Sequence, residues 1–526
     1  MKKGFTLIEL LAVIIILALL MIVAVPNVLS TMNSAKSQSF VTQTQSIFKI
    51  AQQQWTKDSM KGSAKQLYSD SGDKLDLSKV ATNVKYCVKF NADGTIQKLI
   101  VDDGTFRLET GSTIANLKNE NITSSTGEVN CGSGSGGTGG TAYVDSVLPS
   151  APDLGNLIPI KYNGTNWVYA DVTKKWYDYT AGTNEWANAV VLADGVTKSV
   201  NDIISEGDID LWFVWVPRYE YKLPADSIGT TETPKAIDIN FVSASVTTAS
   251  SGYSLHPGFK FGSDWKSGLW LGKFESTAAT ISGDGTNAAQ TVKITANVIS
   301  WRNVQNVYMY TSSLNIDTLY GLTGLDSHMT RYTEWTTMSY LSNSIYGRCA
   351  NATTCTEITI NNPPGCPEGC YLTGGGNYEI NGNQSTTGNV YGIYDVNGGA
   401  SEIVMGYLSG ASGLYAYDGF TSSTIPTDNK YTDIFTSSNH STYNYSVITG
   451  INGGTSMNGV FSELLSTKTS ERSWFGDSAY FVDSSRPWFL LGGMWNDSIY
   501  AGAFSSSISG GSAAGGYGFR VALCAI

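Results

Sequence analysis

Residues 1–26 read MKKGFTLIELLAVIIILALLMIVAVP, an apolar stretch that follows two lysines and ends at Pro26. One carboxylate, Glu9, interrupts the stretch near its start. An ionisable group inside a membrane segment costs roughly 2.5–3.5 kcal/mol on insertion scales, so it marks a function and requires a partner. Lys2 and Lys3 predict that the short tail faces the cytoplasm and that the bulk of the chain lies outside the membrane.

The segment resembles the N-terminus of type IV prepilins and pseudopilins. Gly4 matches the residue before the family's cleavage site and Phe5 matches the new first residue. Thr6–Leu10, which include Glu9, match the residues that follow. The resemblance implies that a prepilin peptidase cuts after Gly4 and methylates the amine of Phe5. It also implies that Glu9 pairs with the amine of a neighbouring subunit, which would make a buried carboxylate tolerable.

A secretory signal peptide or a simple signal anchor is the alternative interpretation of this segment. No small-x-small cleavage site follows the apolar core, and the helical pattern continues to about Met60. Its second half has apolar residues at helical spacing, which predicts an amphipathic helix. These residues are Phe40, Val41, Ile47, Phe48, Ile50 and Trp55.

The composition predicts two or three domains and an extracellular, β-rich protein. The chain has 526 residues, only 15% of them charged, and a net charge of −11. That balance argues against a general attraction to nucleic acids. The Gly-rich run at 132–142 is typical of a flexible linker. The alternation at 84–90, a turn at 91–94 and a second apolar run at 96–101 predict a small antiparallel sheet.

The predicted fold class is α+β, with a long N-terminal pilin helix and a small antiparallel sheet joined to a second domain. The expected segments are a leader at 1–4, a transmembrane pilin helix at 5–60, a small pilin head at 61–131, a flexible linker at 132–155, and a large domain at 156–526, in which 156–205 could form a separate β module.

Seven cysteines suit an oxidising compartment, where disulfides are permitted. The disulfide candidates are Cys87, Cys131, Cys349, Cys355, Cys366 and Cys370. Cys87 and Cys131 could close one loop, and the four cysteines between 349 and 370 allow three connectivities. A zinc site is the alternative for those four, but their spacing matches no common zinc module and no histidine lies among them. Cys524 is left over, as a buried thiol or a sign of different pairing.

Two stretches of the large domain resemble the formylglycine-generating enzyme (sulfatase-modifying factor) family. They are GNVYGIYDVNGGASE at 388–402 and the pair LGGMWN at 491–496 and GFRVAL at 518–523. The resemblance spans about 210–526 and implies a C-type-lectin-like fold with short strands and long loops.

The same resemblance implies a Ca²⁺ site formed by Asp395, Gly398, Ala400 and Glu402. Carboxylate and carbonyl oxygens are the ligands that Ca²⁺ prefers, six to eight of them at about 2.3–2.6 Å. The alternative is a tight glycine-rich turn in which Asp395 caps backbone amides. The sequence leaves both interpretations open.

Catalysis is not expected, because the family's catalytic residues are absent. Its oxidases use a cysteine pair near the end of the domain, and residues 496–518 contain no cysteine. Its iron-dependent relatives use a histidine triad, whereas His256, His328 and His440 are widely scattered here. Fold alone does not imply activity.

The segment from Trp495 to Ser512 is the predicted ligand-binding region. It resembles the variable regions of diversity-generating retroelement targets, and a fixed low-complexity loop is the alternative. Tyrosine, serine, glycine and asparagine are favoured in adaptable binding surfaces. The candidate ligand-binding residues are Trp495, Asp497, Ser498, Tyr500 and Phe504.

These observations favour a minor or tip pilin-like subunit that displays a non-catalytic binding or adhesion domain. Its expected partners are other pilin subunits, a prepilin peptidase, the membrane, and an extracellular protein, glycan or surface. It would be a single-pass membrane protein before assembly and lie in a pilus or at the cell surface afterwards. The alternatives are a type II secretion or competence pseudopilin, and a surface-tethered formylglycine-generating-type oxidase.

Substitutions at Gly4 and Glu9 test the prepilin interpretation. We expect Gly4→Leu to block removal of the leader, because a bulky residue does not fit the cleavage site. We expect Glu9→Ala to reduce the sheared surface fraction, because the neighbouring amine loses its partner. The mass of the N-terminal peptide and an immunoblot of sheared material measure the two effects. Glu128→Ala is the control, and its processing and display should match the wild type. If Gly4→Leu and Glu9→Ala also match the wild type, the prepilin interpretation is wrong and the segment is a simple membrane anchor.

Overall fold

A computed structural model of the protein describes most of the chain beyond residue 34. The described ranges are 35–59, 67–69, 74–77, 80, 84–90, 94–110, 122–124, 129, 142–224, 234–278, 289–362, 371–436, 474–478 and 480–526. Gly4, Phe5 and Glu9 therefore lie outside the described residues. The chain divides into two compact units, one of residues 1–132 with 138–140 and one of residues 133–137 with 141–526.

The described elements are four α-helices and 27 β-strands. The helices are α1 (35–59), α2 (Asn306–Leu314), α3 (Ile316–Leu319) and α4 (Tyr332–Ser342). The strands of the first unit are β1 (Leu67–Ser69), β2 (Lys85–Phe90), β3 (Ile96–Asp102), β4 (Phe106–Thr110) and β5 (Ile122–Ser124).

The strands of the second unit fall into an N-terminal and a C-terminal group. The first comprises β6 (Ile158–Tyr162), β7 (Trp167–Tyr169), β8 (Asn188–Leu192), β9 (Ile203–Ile204), β10 (Ile209–Pro217), β11 (Tyr219–Lys222), β12 (Asp238–Phe241), β13 (Ser254–Leu255), β14 (Lys260–Phe261), β15 (Asp264–Trp265), β16 (Gly268–Gly272), β17 (Thr277–Ala278) and β18 (Val292–Lys293). The second comprises β19 (Leu325–Met329), β20 (Cys349–Asn351), β21 (Thr354–Cys355), β22 (Ser401–Leu408), β23 (Asp433–Phe435), β24 (Trp488–Gly492), β25 (Gly502–Ser509), β26 (Tyr517–Phe519) and β27 (Val521–Ala525).

The first unit packs helix α1 and a five-stranded antiparallel sheet around one core, with the strands in the order β1 to β5. Phe40 and Ile47 of the helix are buried in this core, as their helical spacing predicts. Trp55 stacks on Phe90 with ring centroids 6.0 Å apart. Gly94 closes the β2–β3 turn at φ +83°, and a Cβ there would lie 2.2 Å from the Trp55 ring. The predicted helix and small antiparallel sheet are confirmed in the described residues.

The second unit is built on an eight-stranded sheet in the order β19-β27-β16-β10-β8-β6-β7-β9. Strand β10 lies near its centre and reads as a continuous apolar run, because both its faces are buried. Strand β27, near the C-terminus, pairs with β16 on one side and β19 on the other. Strands β6 to β9 belong to the same sheet, so the suggestion that 156–205 forms a separate module is wrong.

The predicted linker at 132–155 is also too long. Residues 142–155 pack on the second unit: Leu148 is buried, and the Asp145 carboxylate accepts a 2.5 Å hydrogen bond from the Tyr179 amide. The Trp270 indole donates to the Asp153 carbonyl at 2.5 Å. The stretch 147–152 lies within the predicted linker, but Val147 and Leu148 pack on the core of the second unit.

A second sheet, in the order β23-β22-β24-β25 with β26 on β22, contacts helix α4. Every residue of α4 is buried. The residue pattern at 328–341 is typical of a helix, but the chain at 325–329 forms β19 instead, because β27 offers it a pairing partner. Tertiary pairing therefore overrides the local helical pattern.

A buried ion pair joins these layers. The Arg520 Nε lies 3.1 Å from both carboxylate oxygens of Glu402, and the Arg520 Nη2 also bonds that carboxylate. Arg520 further donates to the carbonyls of Gly272 at 2.6 Å and Tyr394 at 2.9 Å. The Trp335 indole of α4 donates to Glu402 at 2.8 Å. One pair thus connects β16, β22, α4 and the residue before β27.

Removing Arg520 should strongly destabilise the second unit. Arg520→Met leaves the Glu402 carboxylate buried without its charge partner, which costs about 3–5 kcal/mol of the free energy of unfolding. Denaturant titration of the full chain in detergent, followed by tryptophan fluorescence, measures the loss.

Arg486→Met is the matched control. Arg486 also pairs with a carboxylate, that of Asp483 at 3.0 Å, but both side chains are exposed. An exposed pair contributes about 0–1 kcal/mol. Equal losses in the two variants would contradict a central role for the buried pair.

Candidate ligand-binding surface

The glycine-rich turn at 395–402 is held by protein donors. Asp395, at φ +60°, accepts hydrogen bonds from the Asn361 amide and the Gly374 backbone, both at 2.9 Å. The Ala400 amide donates to Glu275 at 2.7 Å. The Glu402 carboxylate is bound by Arg520, as described above.

The contacts of this turn agree with the capping interpretation of Asp395. Both carboxylates of the proposed Ca²⁺ set, those of Asp395 and Glu402, already bind protein donors, and Gly398 and Ala400 could offer only backbone carbonyls. The calcium site stays a prediction. Burial raises the pKa of Asp395 to about 6, although Arg520 lowers it. Burial, with the negative charges of Asp395 and Glu402, also raises the pKa of Glu275 well above its usual range.

A second cluster joins His328, Glu334 and Cys524, whose potential ligand atoms lie within 4.8 Å of one another. In the part of the chain that the structure describes, no other such group could hold a metal ion. Arg331 already binds Glu334 at 2.7 Å, and the His328 Nε2 lies 3.1 Å from the same carboxylate. This arrangement is a buried ion network, because Arg331 supplies the positive charge that a metal ion would otherwise supply to the Glu334 carboxylate.

The described cysteines agree with the disulfide prediction. Cys349 and Cys355 form a disulfide, and Cys87 is also disulfide-bonded. Cys131, Cys366 and Cys370 lie outside the described residues. Cys524 is a free thiol, fully buried, and burial raises its pKa well above the usual value.

Four exposed tyrosines lie along strand β25 and its neighbours, and we call them the tyrosine surface. They are Tyr415 (42% exposed), Tyr417 (63%), Tyr480 (38%) and Tyr500 (42%). The Tyr480 amide donates to the Ser506 carbonyl at 2.8 Å, and the Ser478 amide donates to the Tyr500 carbonyl at 2.9 Å. A Cβ on Gly510 would lie 3.5 Å from the Tyr417 ring.

Backbone strain is concentrated at the same surface. Tyr415, Phe475 and Ser498 have φ values of +67°, +59° and +56°. Every other described residue with positive φ is glycine, asparagine or aspartate, which tolerate this region. Such strain costs of order 1–3 kcal/mol per residue and is found preferentially at functional sites. The clustering therefore points to this surface as the candidate site.

The five predicted ligand-binding residues divide into exposed and buried positions. Ser498 and Tyr500 are exposed. Trp495 and Phe504 are buried, and their contact with a ligand stays a prediction. Trp495 stacks on Tyr371 at 5.5 Å between ring centroids. The Asp497 carboxylate accepts a 2.8 Å hydrogen bond from the Met494 amide and holds the turn.

Sequence reasoning missed Tyr415, Tyr417 and Tyr480. The Tyr-Ala-Tyr triplet at 415–417 between glycines is a signal that could have been noticed. It stands about eighty residues from Tyr500, however, and the sequence does not show that the Tyr417 ring lies beside Gly510, just after β25.

Comparison with known proteins identifies the N-terminus. Residues 1–25 match the family model of the prokaryotic N-terminal methylation motif. The match confirms the prepilin-like interpretation of that segment. A search of curated proteins found no match to the chain. None of the helices among the described residues is long and apolar enough to cross a membrane.

The His328 network predicts a pH dependence of stability. Burial disfavours the charge on His328, but Glu334 and Asp326 raise its pKa to about 9. Unfolding returns the pKa to about 6.5. The network's stabilisation is therefore fully present below pH 6.5 and is lost as the pH rises to 9, by an amount on the order of 3 kcal/mol.

His328→Gln should remove this dependence, as measured by denaturant titration between pH 6 and 9.5. His256→Gln is the control, because burial lowers the pKa of His256 to about 3. Its stabilisation is lost as the pH falls below 6.5, so the control should keep the wild-type slope at high pH. The same slope in His328→Gln would refute the charged network.

Proposed function

We propose that the protein is a type IV pilin-like subunit, minor or at the tip, whose second unit is a non-catalytic binding domain. The observation that carries the proposal is the combination of the methylation motif at residues 1–25 with a strained, exposed tyrosine surface on the second unit. The N-terminal helix would anchor the chain in the membrane and later in the filament core. The second unit would remain available to an extracellular ligand.

The size of the second unit favours a low copy number of this subunit in a filament. The second unit comprises residues 133–137 and 141–526. A unit of this size beside a small pilin head would hinder packing if it were present on every subunit of a filament. Placement at the tip, or sparse incorporation, avoids this steric conflict.

A C-type-lectin-like fold is part of the proposal. The two stretches that resemble the formylglycine-generating family meet in space: β22 pairs in parallel with β26, which places Glu402 opposite Gly518. Arg520, two residues further on, then binds Glu402. The contact gives the two motifs a shared structural role, which supports a common fold without implying a common activity.

Binding is favoured over oxidase chemistry by the state of the described cysteines. Oxidative catalysis by a cysteine requires an accessible thiolate. Cys349 and Cys355 are joined in a disulfide, and the Cys524 thiol is fully buried with a raised pKa. The side chains of Tyr415 and Tyr417, in contrast, are exposed to solvent.

Attachment of whole cells tests the proposed function. A strain that lacks the chain should attach poorly to the surfaces that the parent strain colonises, and the wild-type chain should restore attachment. The double variant Tyr417→Ala/Tyr500→Ala should restore surface display without restoring attachment, because both side chains are exposed at the proposed binding surface. Immunoblots of sheared material measure display, and counts of retained cells measure attachment.

Ile380→Ala is the matched control, since Ile380 is 79% exposed but belongs to a different part of the unit. It should behave as wild type. Full attachment by the double variant would exclude the tyrosine surface as the binding site. Equal attachment with and without the chain would exclude adhesion altogether.

A further inference from the structure

We propose that the side chain of Lys273 forms an isopeptide bond with the side chain of Asn188 inside the second unit. The inference goes beyond the proposed binding function and does not depend on it. It is carried by a buried amine and a buried amide that are in contact, with a hydrogen-bond donor on the amide oxygen. Asn188 is the first residue of β8, and Lys273 directly follows β16.

The two reacting groups meet in the core of the unit. The Lys273 Nζ lies 2.9 Å from the Asn188 Oδ1, and both residues are 0% exposed. Because a C=O bond is about 1.23 Å long, the Nζ lies no more than about 4.1 Å from the Asn188 Cγ that it would attack. The Asn188 Nδ2 donates to the carbonyls of Trp186 and Tyr391, both at 2.9 Å. These two bonds fix which side of the amide faces the lysine.

The surroundings of Lys273 favour an uncharged amine. Four aromatic rings enclose its Nζ at 5.1 to 5.9 Å from their centroids, those of Trp167, Trp212, Tyr378 and Tyr394. Among the described residues, no carboxylate forms an ion pair with Lys273, and burial holds its pKa well below the usual value. A neutral amine has a free electron pair, which a nucleophile requires.

The hydrogen bonds of the amine direct that electron pair. Besides Asn188, the Lys273 Nζ contacts the carbonyls of Val390 at 2.5 Å and Gly392 at 3.1 Å. A neutral amine has two N–H groups, and these two backbone carbonyls can accept both. The third direction, toward the Asn188 amide, is then left to the electron pair.

The Trp212 indole is placed to assist the reaction. Its Nε1 donates to the Asn188 Oδ1 at 2.8 Å, where negative charge develops when the amine attacks Cγ. The Nζ–Cγ bond forms, the Cγ–Nδ2 bond breaks, and one amine proton passes to Nδ2, which leaves as ammonia. Nothing is oxidised or reduced. One turnover per molecule suffices, and groups held in contact react as if they were highly concentrated.

The cross-link spans the centre of the eight-stranded sheet. Strand β10 lies between β8 and β16 and pairs with both. A bond from Asn188 to Lys273 joins the two neighbours of β10 without relying on the hydrogen bonds of that strand. The three strands would therefore stay linked when heat or tension breaks those hydrogen bonds.

An unreacted ammonium is the alternative state of Lys273. The same oxygens and ring faces can accommodate a charged lysine, at the cost of burying a charge that has no counter-ion. The two states differ by the mass of one ammonia molecule. A measurement of mass therefore distinguishes them directly.

Mass spectrometry of the purified full chain tests the inference. We expect an intact mass about 17 Da below that of the processed chain with its disulfides, because one ammonia is lost. Trypsin should release residues 176–198 and 267–293 as one cross-linked peptide, without cleavage after Lys273. Asn188→Ala and Lys273→Met should both lack the mass loss. Lys260→Met, which changes an exposed lysine, is the control and should retain it.

An unshifted wild-type mass, with residues 267–273 released as a separate peptide, would overturn the inference and leave Lys273 as a buried ammonium. A loss of ammonia without the cross-linked peptide would also overturn it, because the loss would then arise elsewhere, such as at an Asn-Gly sequence. The wild-type chain decides the question even if the two core variants fail to fold. Cell attachment does not enter this measurement, so the proposed binding function stands or fails separately.

Discussion

The buried pair of Glu402 and Arg520 is the constraint on which the second unit depends. Two fully buried charges lose their hydration, and only close pairing with further hydrogen bonds compensates for that loss. Here the compensation comes from the Trp335 indole and two backbone carbonyls. Because those donors and acceptors lie on β16, on α4 and before β22, the pair is satisfied only when the two sheets and the helix are all in place. It therefore favours one arrangement of these elements over others.

One strand, β24, separates the strand that carries Glu402 from β25, beside which the tyrosine surface lies. Strand β22 carries Glu402 and pairs with β24, and β24 pairs with β25. The turn before β25 is fastened separately, by the stack of Trp495 on Tyr371, whose hydroxyl donates to Glu275 at 2.8 Å. A rigid frame beneath an exposed surface limits the entropy lost on binding. It also explains how the backbone can hold Tyr415 and Ser498 in strained conformations that a loose loop would relax.

The sequence was informative where local pattern and tertiary environment agree. The alternation at 84–90 predicted a strand, and β2 forms there against the core of the first unit. Prediction from the sequence failed where contacts between residues far apart in the chain determine the structure. Residues 142–155 have the composition of a spacer, yet Asp145 and Leu148 have partners about thirty or more residues away. The same limit hid Tyr417, because no local feature shows that its ring lies beside Gly510.

The segment from Trp495 to Ser512 contains both buried supporting residues and exposed residues. This division limits which of its positions can vary. Its buried members have specific duties: Trp495 stacks, and Gly502 lies so close to Asp477 that a Cβ would fall 2.1 Å from the carboxylate. Ile499 and Tyr500 are exposed, and changes at exposed positions without backbone strain usually alter stability by no more than about 0.5 kcal/mol. In a diversified segment, the buried residues would therefore be constrained, and the exposed residues would be free to change. The physical requirement for a variable binding surface is met at the exposed positions, whichever process supplied the present residues.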